Sequence, residues 1–260
     1  MLVRIISSIV ALPLLFFFVL MGGLYLEVAG CVITLIAVYE MLNVLKKKYK
    51  PVVIPSYLMV IIFFVCYHFE FFTVLLGAIT VYIALLLMIY VFDEDRHFSD
   101  VGVTFLGVGY ILFFIYHIIL LANLEPKYMI WFIFIASWGA DTGAYFAGNA
   151  FGKTKLAPKV SPKKTVEGLI GGVITAVILC VILSMVFEPS LIPHSIAIGV
   201  IGSLISVVGD LSASKIKREM DVKDYGHIMP GHGGVMDRFD SVILVTPFIY
   251  YVIKLIVTIQ

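Results

Sequence analysis

Apolar residues fill this chain in long blocks, and polar positions fall between the blocks instead of alternating within them. Nine such blocks are visible, at residues 4–21, 24–45, 52–69, 71–92, 103–122, 128–147, 168–187, 194–208 and 241–259. Most run to roughly 17–23 residues, the length that carries a helix across about 30 Å of hydrocarbon. Backbone N–H and C=O groups cannot stay unpaired in lipid, and the blocks lack the alternation of barrel strands, so each predicts a helix. The expected fold class is all-α, a polytopic integral membrane protein with about nine transmembrane helices. Two regions differ in character: residues 1–122 are N-terminal spans with scattered polar positions, whereas 123–260 carries two strongly polar loops, 148–167 and 209–240.

Composition agrees. Of 260 residues, 62% are hydrophobic and 13% charged, and the mean hydropathy is +1.09, which excludes an ordinary soluble globular domain. Charge placement adds an orientation. With the N-terminus inside, alternate connections collect Arg4, the lysines at 46, 47, 48 and 50, Arg96, and the basic residues of both polar loops: sixteen of the chain's eighteen Lys and Arg. Short basic loops stay cytoplasmic. The expectation is a multi-pass plasma-membrane protein, N-terminus cytoplasmic, with both polar loops and the active site facing the cytosol.

Three features of the chain carry less than they first suggest. The N-terminal apolar stretch is long for a signal peptide, lacks a convincing small-residue cleavage site and leads straight into another span, so it reads as a retained helix. Cys31, Cys66 and Cys180 sit far apart inside apolar runs, without metal-site or redox spacing, and read as core. GNAFGKT at 148–154 resembles a phosphate-binding P-loop but has three residues where the motif needs four, and it follows a membrane helix instead of a strand. In the first half only Glu40 stands out, because an intramembrane carboxylate needs a partner or a cavity.

Chemistry gathers in the second half. Asp141 lies near the end of the sixth run beside Gly139 and Gly143, where it can reach a metal, a lysine or a nucleotide. A loop with five lysines then ends in SPKKTVEG, just before the seventh run. Ser161, Lys163, Lys164 and Thr165 form an anion-binding set there, with a helix N-terminus to supply N–H groups and a favourable dipole. A polyphosphate fits such a set, although a topology-holding basic loop would share its composition.

The stretch 208–241 concentrates acids, bases and glycines. If the eighth helix continues past Asp210, then Asp210, Ser214, Lys217 and Arg218 share one face. Lys223 and Asp224 follow, then the turn PGHGG at 230–234, whose glycines permit positive φ and close approach of backbone to a ligand. Asp237 and Asp240 stand three residues apart on the first turn of the last helix. A few carboxylates, with substrate phosphates completing the shell, are the usual way to hold Mg²⁺.

At these positions the chain resembles a known family. S-x-I-K-R-E at 214–219, K-D at 223–224 and PGHGGVMDRFD at 230–240, with DTGAYFAG at 141–148 and SPKKTVEG at 161–168 upstream, are similar to the signature of phosphatidate cytidylyltransferases, the CDP-diacylglycerol synthases. The resemblance is close from about residue 130 onward and holds only in kind before it. Many members carry Glu where this chain has Ala213, which leaves Asp210 and Asp237 as the main carboxylate candidates. It implies transfer of the cytidylyl group of CTP to phosphatidate, giving CDP-diacylglycerol and pyrophosphate with Mg²⁺, a second ion such as K⁺ and a homodimer being left open.

The roles that follow are specific. Asp210 and Asp237 bind metal, with Asp141 and Asp240 as further ligands; Ser161, Lys163, Lys164 and Thr165 hold the triphosphate; Lys217 and Arg218 hold a phosphate group. Lys223, Asp224 and Asp237 are the catalytic candidates. His232, Gly233, Gly234 and Arg238 are further substrate contacts, although His232 reads better as a structural donor within the turn. A CTP-dependent polyprenol or phytol kinase is the nearest alternative. A CDP-alcohol phosphotransferase lacks its D-G-x-x-A-R opening here, and a transporter would place its ionisable residues near mid-membrane.

Overall fold

Each apolar block satisfies its backbone within itself, and the side-chain hydroxyls follow suit. Thr34, Ser56, Thr104, Ser137, Thr175 and Thr246 all donate to the carbonyl four residues back, so they can sit in an apolar helix without an outside partner. The computed structural model describes residues 13–229, 231 and 233–259. Arg4, much of the first expected span, and His232 lie outside the described residues; residues 13–21 are helical.

The elements that follow are α1 (Gly23–Leu45), α2 (Ile54–His68), α3 (Phe72–Phe92) and α4 (Phe98–Ala122). A segmented stretch comes next: a 3₁₀ turn (Lys127–Ile130), α5 (Trp131–Phe134), a π turn (Ile135–Gly139) and α6 (Ala140–Phe151). Then come β1 (Lys155–Ala157), β2 (Ser161–Thr165), α7 (Val166–Phe187), a 3₁₀ turn (Pro189–Leu191), α8 (Ile192–Glu219) and α9 (Met236–Ile259). Six helices among the described residues are long and apolar enough to cross a membrane, while Ile54–His68 is a shorter apolar helix. At 15 residues it rises only about 22 Å. The expected sixth span is the segmented stretch, and α8 does continue past Asp210, as the one-face reading of 210–218 requires.

The chain divides into two compact units. The first takes the described residues up to Ile119 together with Met220–Asp237; the second takes Leu120–Glu219 and Arg238 onward. The polar stretch 209–240 is divided between the units, whereas sequence placed it whole in the C-terminal region.

In the first unit, α2 packs on α1 and on α3. Gly107 of α4 lies against Met41 and Leu45 of α1, and Gly30 of α1 against Ile119 and Phe64. Polar side chains tie the helix ends: Asp100 accepts from the Lys50 N–H at 2.8 Å and from the His97 N–H at 2.7 Å, and the Val52 N–H donates to Thr104. Helix α3 is apolar all round, with only Tyr82 and Leu86 buried, the surface a lipid-facing helix presents.

In the second unit, α6, α7 and α8 pack in sequence order through small residues. A Cβ on Gly143 would collide with Thr175, one on Gly172 would come within 2.8 Å of the Ala140 carbonyl, and one on Gly199 within 2.7 Å of the Val177 backbone. Such positions let membrane helices approach closely. Helix α9 packs on α8 where Gly202 meets Val245 and Gly209 meets the Asp240 carbonyl and Leu244. A π turn inserts an extra residue into the helical spiral and rotates the side chains beyond it; here it precedes Asp141 and so sets the direction in which Asp141 points. The loop expected at 148–167 contains an antiparallel pair, β1 with β2, registering Lys155 with Thr165 and Ala157 with Ser161.

Candidate active site

In the second unit, five charged residues from four elements converge. Asp141 comes from α6, Lys164 from β2, Asp210 and Lys217 from α8, and Asp240 from α9. Lys164 Nζ lies 2.6 Å from Asp210 Oδ2, and the Ser214 hydroxyl donates to Asp210 Oδ1 at 3.1 Å. Lys217, buried on the same face of α8, stands 3.9 Å from Asp240 Oδ2. Asp141 interacts with Lys164 and Asp210 and accepts from the Ser241 hydroxyl, while Asp240 interacts with Asp210 and Asp141 and accepts from the Ser241 N–H.

Three carboxylates here share two ammonium groups. Lys164 Nζ is shielded from water and makes no hydrogen bond of good geometry among the described residues, despite its short contact with Asp210. An ammonium has three donors. The cluster therefore retains donors for an anion and carboxylate oxygens for a cation.

The SPKKT segment carries local structural roles. Thr165 is the N-cap of α7, its hydroxyl accepting from the Gly168 N–H at 3.1 Å, while the Val166 N–H donates to the Thr154 carbonyl. These N–H groups of the helix N-terminus are satisfied internally. Glu167 turns back to accept from the Lys153 and Thr154 N–H groups, pinning the hairpin to the helix. Of the other side chains in this segment, Lys163 is exposed and Ser161 and Lys164 are half-buried.

The first unit holds a separate construction, the loop 220–237. Met229 bridges Gly233 through its N–H, closing the turn, and Gly233 has φ +87°, where an added Cβ would meet the Asp237 carboxylate. Asp237 Oδ2 accepts from the Tyr225 N–H at 2.8 Å and the Gly234 N–H at 2.9 Å. Glu40, 195 positions away in α1, accepts from the Val235 N–H with Oε1 at 3.0 Å and from the Met236 N–H with Oε2 at 2.9 Å. Lys223 is exposed and Asp224 half-buried on the loop. Of the four expected metal ligands, then, Asp141, Asp210 and Asp240 are brought together in the second unit, and Asp237 organises the loop of the first.

A profile of the Cytidylyltransferase family matches residues 2–256. The chain belongs to this family. The Phosphatidate cytidylyltransferase of Bacillus subtilis (strain 168) is 35% identical over 264 residues, covering 97% of each chain. That of Staphylococcus aureus (strain COL) is 33% identical over 258 residues, 95% of this chain and 96% of the relative. The Haemophilus influenzae protein of the same name is 37% identical over 129 residues, 48% of this chain and 45% of its own.

For this cytidylyltransferase-family chain the fit of a divalent metal can be judged from the donors. No three His, Cys, Asp or Glu side chains among the described residues converge to hold an ion by themselves. Asp210 and Asp240 are hard oxygen donors beside two lysines, a set that suits Mg²⁺ when substrate phosphates supply the remaining ligands. Arg218 and Arg238 are exposed, the latter's carbonyl accepting from Trp138 Nε1 at 3.4 Å. Sequence reasoning flagged Glu40 as needing a partner but could not name it, because the amides that answer it lie almost a chain length away.

Proposed function

We propose that this chain transfers the cytidylyl group of CTP to phosphatidate, releasing pyrophosphate and forming CDP-diacylglycerol in the membrane. Support comes from the cluster of Asp141, Lys164, Asp210, Lys217 and Asp240, seen in a chain that aligns end to end with relatives named for this reaction. A phosphate oxygen of phosphatidate forms a bond to the α-phosphorus of CTP, the bond from that phosphorus to the bridging oxygen breaks, and pyrophosphate leaves. Both reactants are anions, so the protein's work is alignment and neutralisation. Lys164 and Lys217 hold and neutralise phosphate oxygens, with Lys163 and Ser161 flanking them and Arg218 and Arg238 as outer contacts. Asp210 and Asp240, with Asp141, are the residues that would hold Mg²⁺, which when bound neutralises phosphate charge. The loop residues Lys223, Asp224, Gly233, Gly234, His232 and Asp237 orient substrate. No general base is needed, because phosphatidate is already ionised.

The same reading places the N-terminus and both polar segments in the cytosol. It completes nine crossings by adding α2, the segmented 127–151 stretch and the helix containing 13–21 to the six long helices. The deciding experiment is CTP turnover by purified protein in mixed micelles of phosphatidate and Mg²⁺, with both products resolved. Pyrophosphate and CDP-diacylglycerol, lost in Asp210→Ala, are expected; release of CDP with a phosphorylated lipid alcohol would overturn the assignment.

A further inference from the structure

We propose that Glu40 is a positioning residue for the reaction, an anchor that fixes the 225–237 loop and the start of α9 through their backbone. This rests on the transferase reading above. Glu40 is 1% exposed in a largely apolar helix, and both of its oxygens are engaged by the successive N–H groups of Val235 and Met236. Those amides stand at the N-terminus of α9, where a helix has no internal acceptors for its first N–H groups, so Glu40 caps α9 from another helix.

The loop is built to receive this carboxylate. A Cβ on Gly226 or on Gly234 would overlap the Glu40 carboxylate, and neither glycine has a positive φ that would otherwise require it. Space for Glu40, not backbone freedom, is what these two positions supply. Asp237 closes the loop on itself through the Tyr225 and Gly234 N–H groups, and Glu40 then ties the closed loop to α1. Two carboxylates thus take four backbone donors within thirteen residues.

Helix stability alone would not call for this arrangement. A Ser, Thr, Asp or Asn just before the helix caps it locally. A carboxylate from a distant helix adds what a local cap cannot, a fixed position for the loop relative to α1. Lys223, Asp224 and Asp237, which the proposed reaction uses to orient substrate, all lie in this loop or at its edge. A displacement of about 1 Å in such groups can lower turnover by about 10²-fold.

The test compares full-length wild type with Glu40→Gln, Gly226→Ala and the double variant, in phosphatidate micelles. Three readouts are needed: kcat and KM for CTP per folded molecule, thermal unfolding in detergent, and hydrogen exchange along 225–237. Glu40→Gln keeps the volume but sets an NH₂ group against an N–H, and Gly226→Ala pushes the carboxylate away. Each single variant is expected to lower kcat by tenfold or more, leave KM within a factor of about two, and accelerate exchange at residues 234–236. Because both break the same anchor, the double should be no worse than the worse single variant. Unchanged kcat per folded molecule despite faster exchange would reduce Glu40 to a structural cap, and additive losses would overturn the shared anchor. Wild-type protein that makes no CDP-diacylglycerol would overturn the transferase reading instead, while exchange still reports the anchor.

Discussion

The two units use their carboxylates in opposite ways, buried in the first and half-buried in the second. In the first, Glu40, Asp100 and Asp237 each accept two backbone N–H groups, so their charge is absorbed by the fold. In the second, Asp141, Asp210 and Asp240 act on one another and on Lys164 and Lys217, so their charge is only partly answered. A carboxylate satisfied by amides is a fastener, and one crowded by like charge is poised for a cation or a substrate. Residue type does not separate these uses; their partners do.

Asp240→Asn should sharpen the contrast most. It should lower activity on the order of 10²–10³-fold, as removal of an electrostatic partner of a transition state does, while leaving the unfolding temperature in detergent unchanged or higher, since like-charge crowding with Asp210 and Asp141 is relieved. Glu40→Ala should differ in stability: two buried N–H groups lose their acceptors, a penalty of about 2 kcal/mol or more, visible as a clear fall in unfolding temperature alongside its loss of turnover. If both variants lower stability equally, the division between fastener and poised carboxylate fails.

Lys164→Met should reduce kcat/KM for CTP by about 10²-fold, since its ammonium is aimed into the cluster with donors to spare, with folding judged by the same thermal scan. A smaller effect is expected from Thr165→Ala, which removes the α7 N-cap and should cost about 1 kcal/mol of stability; a large rise in KM for CTP would instead return the hydroxyl to the substrate. Smallest of all is Lys48→Ala. It breaks a 2.8 Å pair with Asp221, but both side chains are largely exposed, so stability should move by less than about 1 kcal/mol.

One part of the candidate cluster is legible along the chain because Asp210, Ser214 and Lys217 recur at helical spacing. Ser214 does reach back to Asp210 from the next turn of one continuous helix, Lys217 follows on that helix, and Asp240 stands just before an apolar run. Thr165 is ambiguous for a local reason: capping the following helix, which it does, and binding an anion ask for the same residue type at the same place. Asp237 and Asp240 are three positions apart and indistinguishable as sequence, yet one accepts amides of its own loop and the other faces Lys217.

Hydropathy along the chain was sufficient for a polytopic helical protein, because burial in lipid constrains every residue of a span and leaves a periodicity-free apolar run as its trace. Tertiary structure alone decided that the polar stretch 209–240 is shared between two units and that its middle is held by Glu40. Backbone amides carry no side-chain signature, so a carboxylate that binds them from 195 residues away leaves nothing in the sequence to match it with.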